Sequence, residues 1–163
     1  MTIGWPPPGV RQRIIELKDL RDLIARLPEG DDALVHLSRY LVVRSAGLVE
    51  AVRDDVADQH CRIVGPTRPH KRVSAGLRNG QGVRPSQLID FMQTFDRDWA
   101  SQLVDWFEED DGERKNKIAA LVAARKKIAH GDGQSVSSSQ ALSWADASME
   151  VANWLVRIFD PAK

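Results

Sequence analysis

The sequence predicts an all-α fold, an antiparallel bundle of about five helices, and three observations carry that expectation. Apolar residues recur at i, i+3, i+4 and i+7 through successive stretches of the chain. No run alternates apolar and polar residues as a half-buried strand would, and no internal repeat stands out. Proline, glycine and serine gather between the periodic stretches, where helices must stop and restart.

Residues 1–9 form a proline-rich lead-in, expected to be extended, and residues 10–160 form one domain. The first helix is expected over Val10 to Leu27, with Ile14, Leu17, Leu20, Leu23, Ile24 and Leu27 on one face and Pro28 and Gly30 as its stop. Asp31 or Asp32 can cap a second, longer helix reaching about Asp58. Its main stripe is Leu34, Leu37, Leu41, Leu48, Val52 and Val56, and a second strip runs along Tyr40, Val43, Gly47 and Ala51. A helix apolar most of the way round is either central or covered by a second subunit. Gly47 costs about 1 kcal/mol against alanine at mid-helix, which implies close approach by another element.

The stretch from Gln59 to Arg84 breaks the periodicity and reads as loop, with a short helix near Lys71 to Leu77. It carries Arg62, Arg68, Lys71, Arg72, Arg78 and Arg84 and no acidic residue. Two readings stand side by side: a phosphate-contacting patch, or a solvated loop balancing Glu108, Glu109, Asp110 and Asp111. Pro85 and Ser86 open a third helix to about Glu109, whose stripe of Leu88, Phe91, Met92, Phe95, Trp99, Leu103 and Trp106 is expected to be core. The acidic run and Gly112 turn the chain into a fourth helix ending at Gly131 and Gly133. Serines between Gln134 and Ser139 offer caps for a fifth helix to about Phe159, ended by Pro161.

Lysine plus arginine equals aspartate plus glutamate at 23 each, so the chain as a whole does not attract polyanions and any nucleic-acid contact must be local. One cysteine, Cys61, excludes an internal disulfide and a cysteine-rich zinc site and suits a cytoplasmic protein. Nothing approaches a membrane span, and the N-terminal residues do not read as a signal peptide. Phosphate loops of the Walker type, dinucleotide fingerprints, hydrolase signatures and metal-ligand spacings are lacking, so neither a cofactor nor a metal is expected. His36 beside the core face of helix two is expected to be structural.

The fourth helix holds the residues that stand out. Ile118, Leu121, Val122, Ile128 and Ala129 form an apolar stripe, and Arg125 falls in its middle, not on its edge. A guanidinium there needs a partner, for which a carboxylate on helix two is the bland candidate. His130 follows five residues later, about 140° around the helix. On composition alone both read as structural, the histidine favoured by the helix dipole.

The pattern R-x4-H-G resembles the HEPN superfamily, in particular its RiboL-PSP-HEPN branch. That branch's motif runs roughly L-V-x-x-R-N-x-I-A-H-G. Leu121, Val122, Arg125, Ile128, Ala129, His130 and Gly131 match it, and Lys126 stands in place of the asparagine. The stretches from Tyr40 to Glu50 and from Phe95 to Ala100 are similar as well. The resemblance implies a metal-independent endoribonuclease, a toxin or defence effector, with Arg125 and His130 as catalytic residues in a site composed at a homodimer interface. Lys126, Glu50 and Arg44 would support that site. It also implies RNA as partner and an antitoxin or other regulatory protein. The chemistry suits the residue types. Cleavage by the RNA's own 2′-OH needs a proton removed, which an imidazole can do near neutral pH, and phosphate charge neutralised, which a guanidinium fork does. The alternative is a non-catalytic HEPN module that binds RNA, a nucleotide or a protein.

Overall fold

The computed structural model describes residues 4–65, 82–132 and 135–162. Among them all regular structure is helical: α1 (Val10–Ala25), α2 (Ala33–Val64), α3 (Pro85–Gln93), α4 (Arg97–Glu108), α5 (Glu113–Ala129) and α6 (Ser138–Ile158), with a 3-10 turn at Glu109–Gly112 before α5. No helix among the described residues is long and apolar enough to cross a membrane.

The spine is α2. Its 32 residues rise about 48 Å at 1.5 Å each. It packs against α6 above all, then α1 and α5. Leu41, Val42, Ala46, Val49, Val52, Val56 and Ala57 are fully buried along it. Val151, Leu155 and Phe159 from the α6 side, and Leu88, Met92, Leu103 and Phe107 from α3 and α4, complete one continuous core. Each such large side chain contributes about 1.5–3 kcal/mol of burial.

The all-helical bundle is the one expected, and its elements differ in detail. The third of the expected helices is interrupted at Thr94–Asp96. Asp96 is extended (φ −156°, ψ 133°), and its carboxylate accepts the backbone N–H groups of Asp98 and Trp99. That N-cap starts α4 afresh, and the aromatic stripe stays in phase across the break because Phe91, Phe95 and Trp99 remain in ring contact. Helix two runs on past Asp58 to Val64, and Gly65 closes it in a positive-φ conformation (97°). At its start Asp31 is the residue that caps, accepting the Ala33 N–H at 2.8 Å.

The lead-in is bent and anchored where an extended segment was expected. Pro7 is buried, its carbonyl accepts the Val10 N–H, and the Trp5 indole donates to the Val156 carbonyl at 3.1 Å. The short helix expected near Lys71 to Leu77 lies outside the described residues. Ser137 caps α6 as the serine-rich loop suggested, in a reciprocal box with Gln140.

Candidate active site

Arg125 reaches its place because α5 crosses α2 with Ile118, Leu121 and Ala124 buried. The guanidinium emerges at the border of that buried stripe, not in its middle, and forms an ion pair with Glu50 of α2. Its side chain is 37% exposed and that of Glu50 28%. The pair is therefore half-buried, and the long arginine keeps part of its fork toward solvent. The helix-two carboxylate that its position demanded is present, and Glu50 is the supporting residue named from the sequence.

The same guanidinium lines a cleft of about 390 Å³ between α1, α2 and α5. Gly47 and Ala51 lie on its α2 side, with Val43 one turn earlier. A Cβ added at Gly47 would meet nothing within 4 Å. The close helix approach expected at this glycine does not occur among the described residues. The second strip of α2 is instead open: Tyr40 and Val43 are exposed, Gly47 and Ala51 half-buried.

Arg44 also lines the cleft. Its Nη1 donates to the Tyr40 hydroxyl at 2.9 Å, and its Nη2 lies 3.5 Å from Glu16 of α1. Arg13 of α1 completes the set, paired with Asp55 of α2. Arg13, Glu16 and Asp55 were not singled out from sequence. Exposed charges on α1 look like any solvated face until the packing of α1 on α2 shows which arginine meets which carboxylate.

His130 ends α5. It is the C-cap (φ −89°, ψ 2°), and Gly131 follows at φ 73°. The Asp132 N–H returns to the Lys127 carbonyl at 3.1 Å, the bond expected where a left-handed glycine terminates a helix. The imidazole is exposed and makes no hydrogen bond among the described residues. Five residues of helix separate it from Arg125 by about 7.5 Å along the axis. Lys126 is exposed and does not line the cleft.

Other expected site residues fall elsewhere. Arg62 sits near the end of α2, paired with Asp58 at 2.8 Å. It is twelve residues, or about 18 Å, from Glu50 along the axis. Arg68, Lys71, Arg72 and Arg78 lie outside the described residues. The acidic run of the alternative reading is partly satisfied locally: Glu108 pairs with Lys115 at 2.6 Å and Asp110 with Arg114 at 3.5 Å. His36 is exposed, contrary to its expected structural role, because it faces away from the neighbouring buried positions Ser38 and Leu41. The histidine built into the fold is His60. Its Nδ1 lies 2.7 Å from the Phe159 carbonyl, and its ring meets Trp99 and Phe159 edge-on.

One titration is displaced close to the site. Burial raises the Asp54 carboxyl above its ordinary 3.8, the adjacent Arg53 opposes the shift, and the charges of Asp55 and Glu50 add to it. Arg53 is itself buried. It bonds Asp54 and the Gly82 carbonyl at 3.0 Å and lies over the Phe91 ring. Among the described residues no group of three or more His, Cys, Asp or Glu is placed to hold a metal ion. Comparison of the chain with protein-family models, with curated proteins and with solved structures gives no match.

Proposed function

We propose that the chain is a metal-independent endoribonuclease of the HEPN type, acting as a homodimer. The observation that carries the reading is Arg125: the arginine of the R-x4-H-G motif, fixed by Glu50 of the central helix and opening onto a cleft. In this reading His130 takes the proton from a ribose 2′-OH while Arg125 neutralises the adjacent phosphate. The 2′-oxygen attacks phosphorus, the bond to the 5′-oxygen breaks, and that oxygen receives a proton. The products are a 2′,3′-cyclic phosphate and a 5′-hydroxyl. Nothing in those steps requires a metal.

The open strip of Tyr40, Val43, Gly47 and Ala51 supports the dimer. Two copies related by a two-fold axis would cover the same face on each and bring both α5 ends to one groove. A toxin or defence role, with an antitoxin or other regulatory protein, belongs to the same reading.

The test is cleavage of RNA by the purified chain in EDTA, beside His130→Ala, with the oligomeric state read by light scattering. Cleavage that depends on His130, with a cyclic-phosphate end, supports the reading. A folded His130→Ala protein that cleaves as fast as the wild type refutes it. The second reading, a non-catalytic module binding RNA, a nucleotide or a protein, is favoured by one observation: the His130 ring has no orienting partner among the described residues.

A further inference from the structure

Three arginines from three helices open onto one cleft, and each is matched by one carboxylate: Arg125 by Glu50, Arg44 by Glu16, Arg13 by Asp55. The face is therefore balanced in charge, which is not what long-range attraction of a polyanion requires. The pairs are not equal, however. The Arg44–Glu16 pair is the loosest, at 3.5 Å with both side chains 40% exposed or more. A charge-assisted contact of full strength lies nearer 2.7–2.9 Å. Exposed pairs of this kind contribute little and exchange readily. Arg44 is also held from another side. Its Nη1 bonds the Tyr40 hydroxyl, and its guanidinium lies 5.7 Å from the Tyr40 ring centroid. It can thus release Glu16 and keep its position.

We propose that Arg44 and Arg13 form a phosphate-binding track that extends the Arg125 site, with Glu16 and Asp55 as internal stand-ins that backbone phosphates of a single RNA strand displace. The inference rests on the ribonuclease reading for its ligand. A cleft of about 390 Å³ is near the small end of the range for ligand sites, and it suits one strand rather than a duplex. Each guanidinium already faces one carboxylate oxygen, so an anionic phosphate oxygen can take that place with little movement of the protein. The carboxylates also set a threshold: an isolated phosphate gains little, and a strand that meets several arginines together gains enough to displace them.

Signs separate this proposal from ordinary surface pairing. A dye-labelled, 2′-O-methylated, mixed-sequence 12-nucleotide strand, which cannot be cleaved, is titrated into the full chain by fluorescence anisotropy. Arg44→Gln is expected to weaken binding about tenfold and to flatten the salt dependence by about one phosphate contact. Glu16→Gln is expected to tighten it severalfold, because it frees the same guanidinium. Arg13→Gln and Asp55→Asn should form a second pair of opposite sign. A duplex of the same sequence should bind more weakly than the strand.

Merely structural pairs would give both members of a pair the same sign, or no effect, and that result overturns the proposal. Circular dichroism melts confirm that each exposed-residue variant is folded. Cleavage of unmodified RNA by the wild type and by His130→Ala is read separately. Cleavage that depends on His130, with no opposite-sign pair, removes the track and leaves the nuclease reading. Opposite signs without cleavage keep the track and remove the nuclease reading.

Discussion

Gly47→Ala should make this protein more stable. Gly47 lies inside a long helix, where glycine is about 0.8–1.0 kcal/mol worse than alanine because it orders a freer backbone. A methyl group there meets no heavy atom within 4 Å. The gain should therefore appear almost in full, about 1 kcal/mol. For a domain of this length that raises the melting temperature by about 2–4 °C. The measurement is calorimetric or circular-dichroism melting at a concentration low enough to keep the chain monomeric, repeated at high concentration. A fall in melting temperature of similar size in the dilute sample would show that the face around Gly47 is closed in the single chain. Gly47→Leu carries the matter further. It too has room on the open face and should fold, but it fills the floor of the Arg125 cleft. It should weaken self-association and RNA cleavage, and a fully active, fully dimeric Gly47→Leu protein would leave the glycine without a role.

The Arg125–Glu50 pair should show coupling. Each alanine substitution should cost about 1–2 kcal/mol, between exposed and buried pairs, and the double variant about as much as one of them; additive losses in denaturant unfolding would contradict the pairing. Arg125→Lys should keep the charge and lose the fork, so it should recover little cleavage, which a single-turnover assay decides. His130→Ala should shift stability by no more than about 0.5 kcal/mol at its exposed helix end, while cleavage falls about 10²- to 10⁴-fold. Asp54 should act on stability in the direction opposite to a salt-bridged carboxylate. Its folded pKa lies above the ordinary 3.8, so the folded state holds the proton more tightly, and the contribution of Asp54 falls as pH rises through that window. The stability gap between wild type and Asp54→Asn should therefore move in favour of the variant as pH rises from about 3.8. Movement in the other direction would mean that Arg53 outweighs burial.

Much of the fold was legible because its helices bury stripes that keep a 3.6-residue period. The break at Thr94–Asp96 was not, because Phe91, Phe95 and Trp99 keep their phase across it and only the Asp96 cap marks it. Reading the glycine-rich stretch as loop from Gln59 onward hid the last turns of α2, and with them His60, whose neighbours are aromatic. His36 stands between Val35 and Leu37, beside the expected core face of helix two, which suggests a structural role, yet its place on the helix puts it in solvent. Arg125 was legible in part: a guanidinium read into the middle of an apolar stripe needs a carboxylate, and Glu50 supplies it, although the side chain leaves the stripe at its border. Arg13 and Asp55 were not, since their pairing exists only once α1 lies on α2.

The two motif residues differ in how far one chain prepares them. Arg125 is anchored, half-buried and set beside two further arginines. His130 is exposed at a glycine-terminated helix end with no orienting side-chain bond among the described residues. An imidazole that must remove a proton needs a group to hold its ring and tautomer, because without one it samples many unproductive orientations. In the ribonuclease reading the RNA is one source for that group, and a second copy whose open strip meets this one is another. The two sources scale differently. If a second copy completes the site, the specific activity at saturating RNA should rise with protein concentration, pass its midpoint near the dimer dissociation constant measured by sedimentation, and level off well above it. A specific activity independent of concentration across that constant would place the whole reaction in one chain and leave the two-fold assembly without a catalytic purpose.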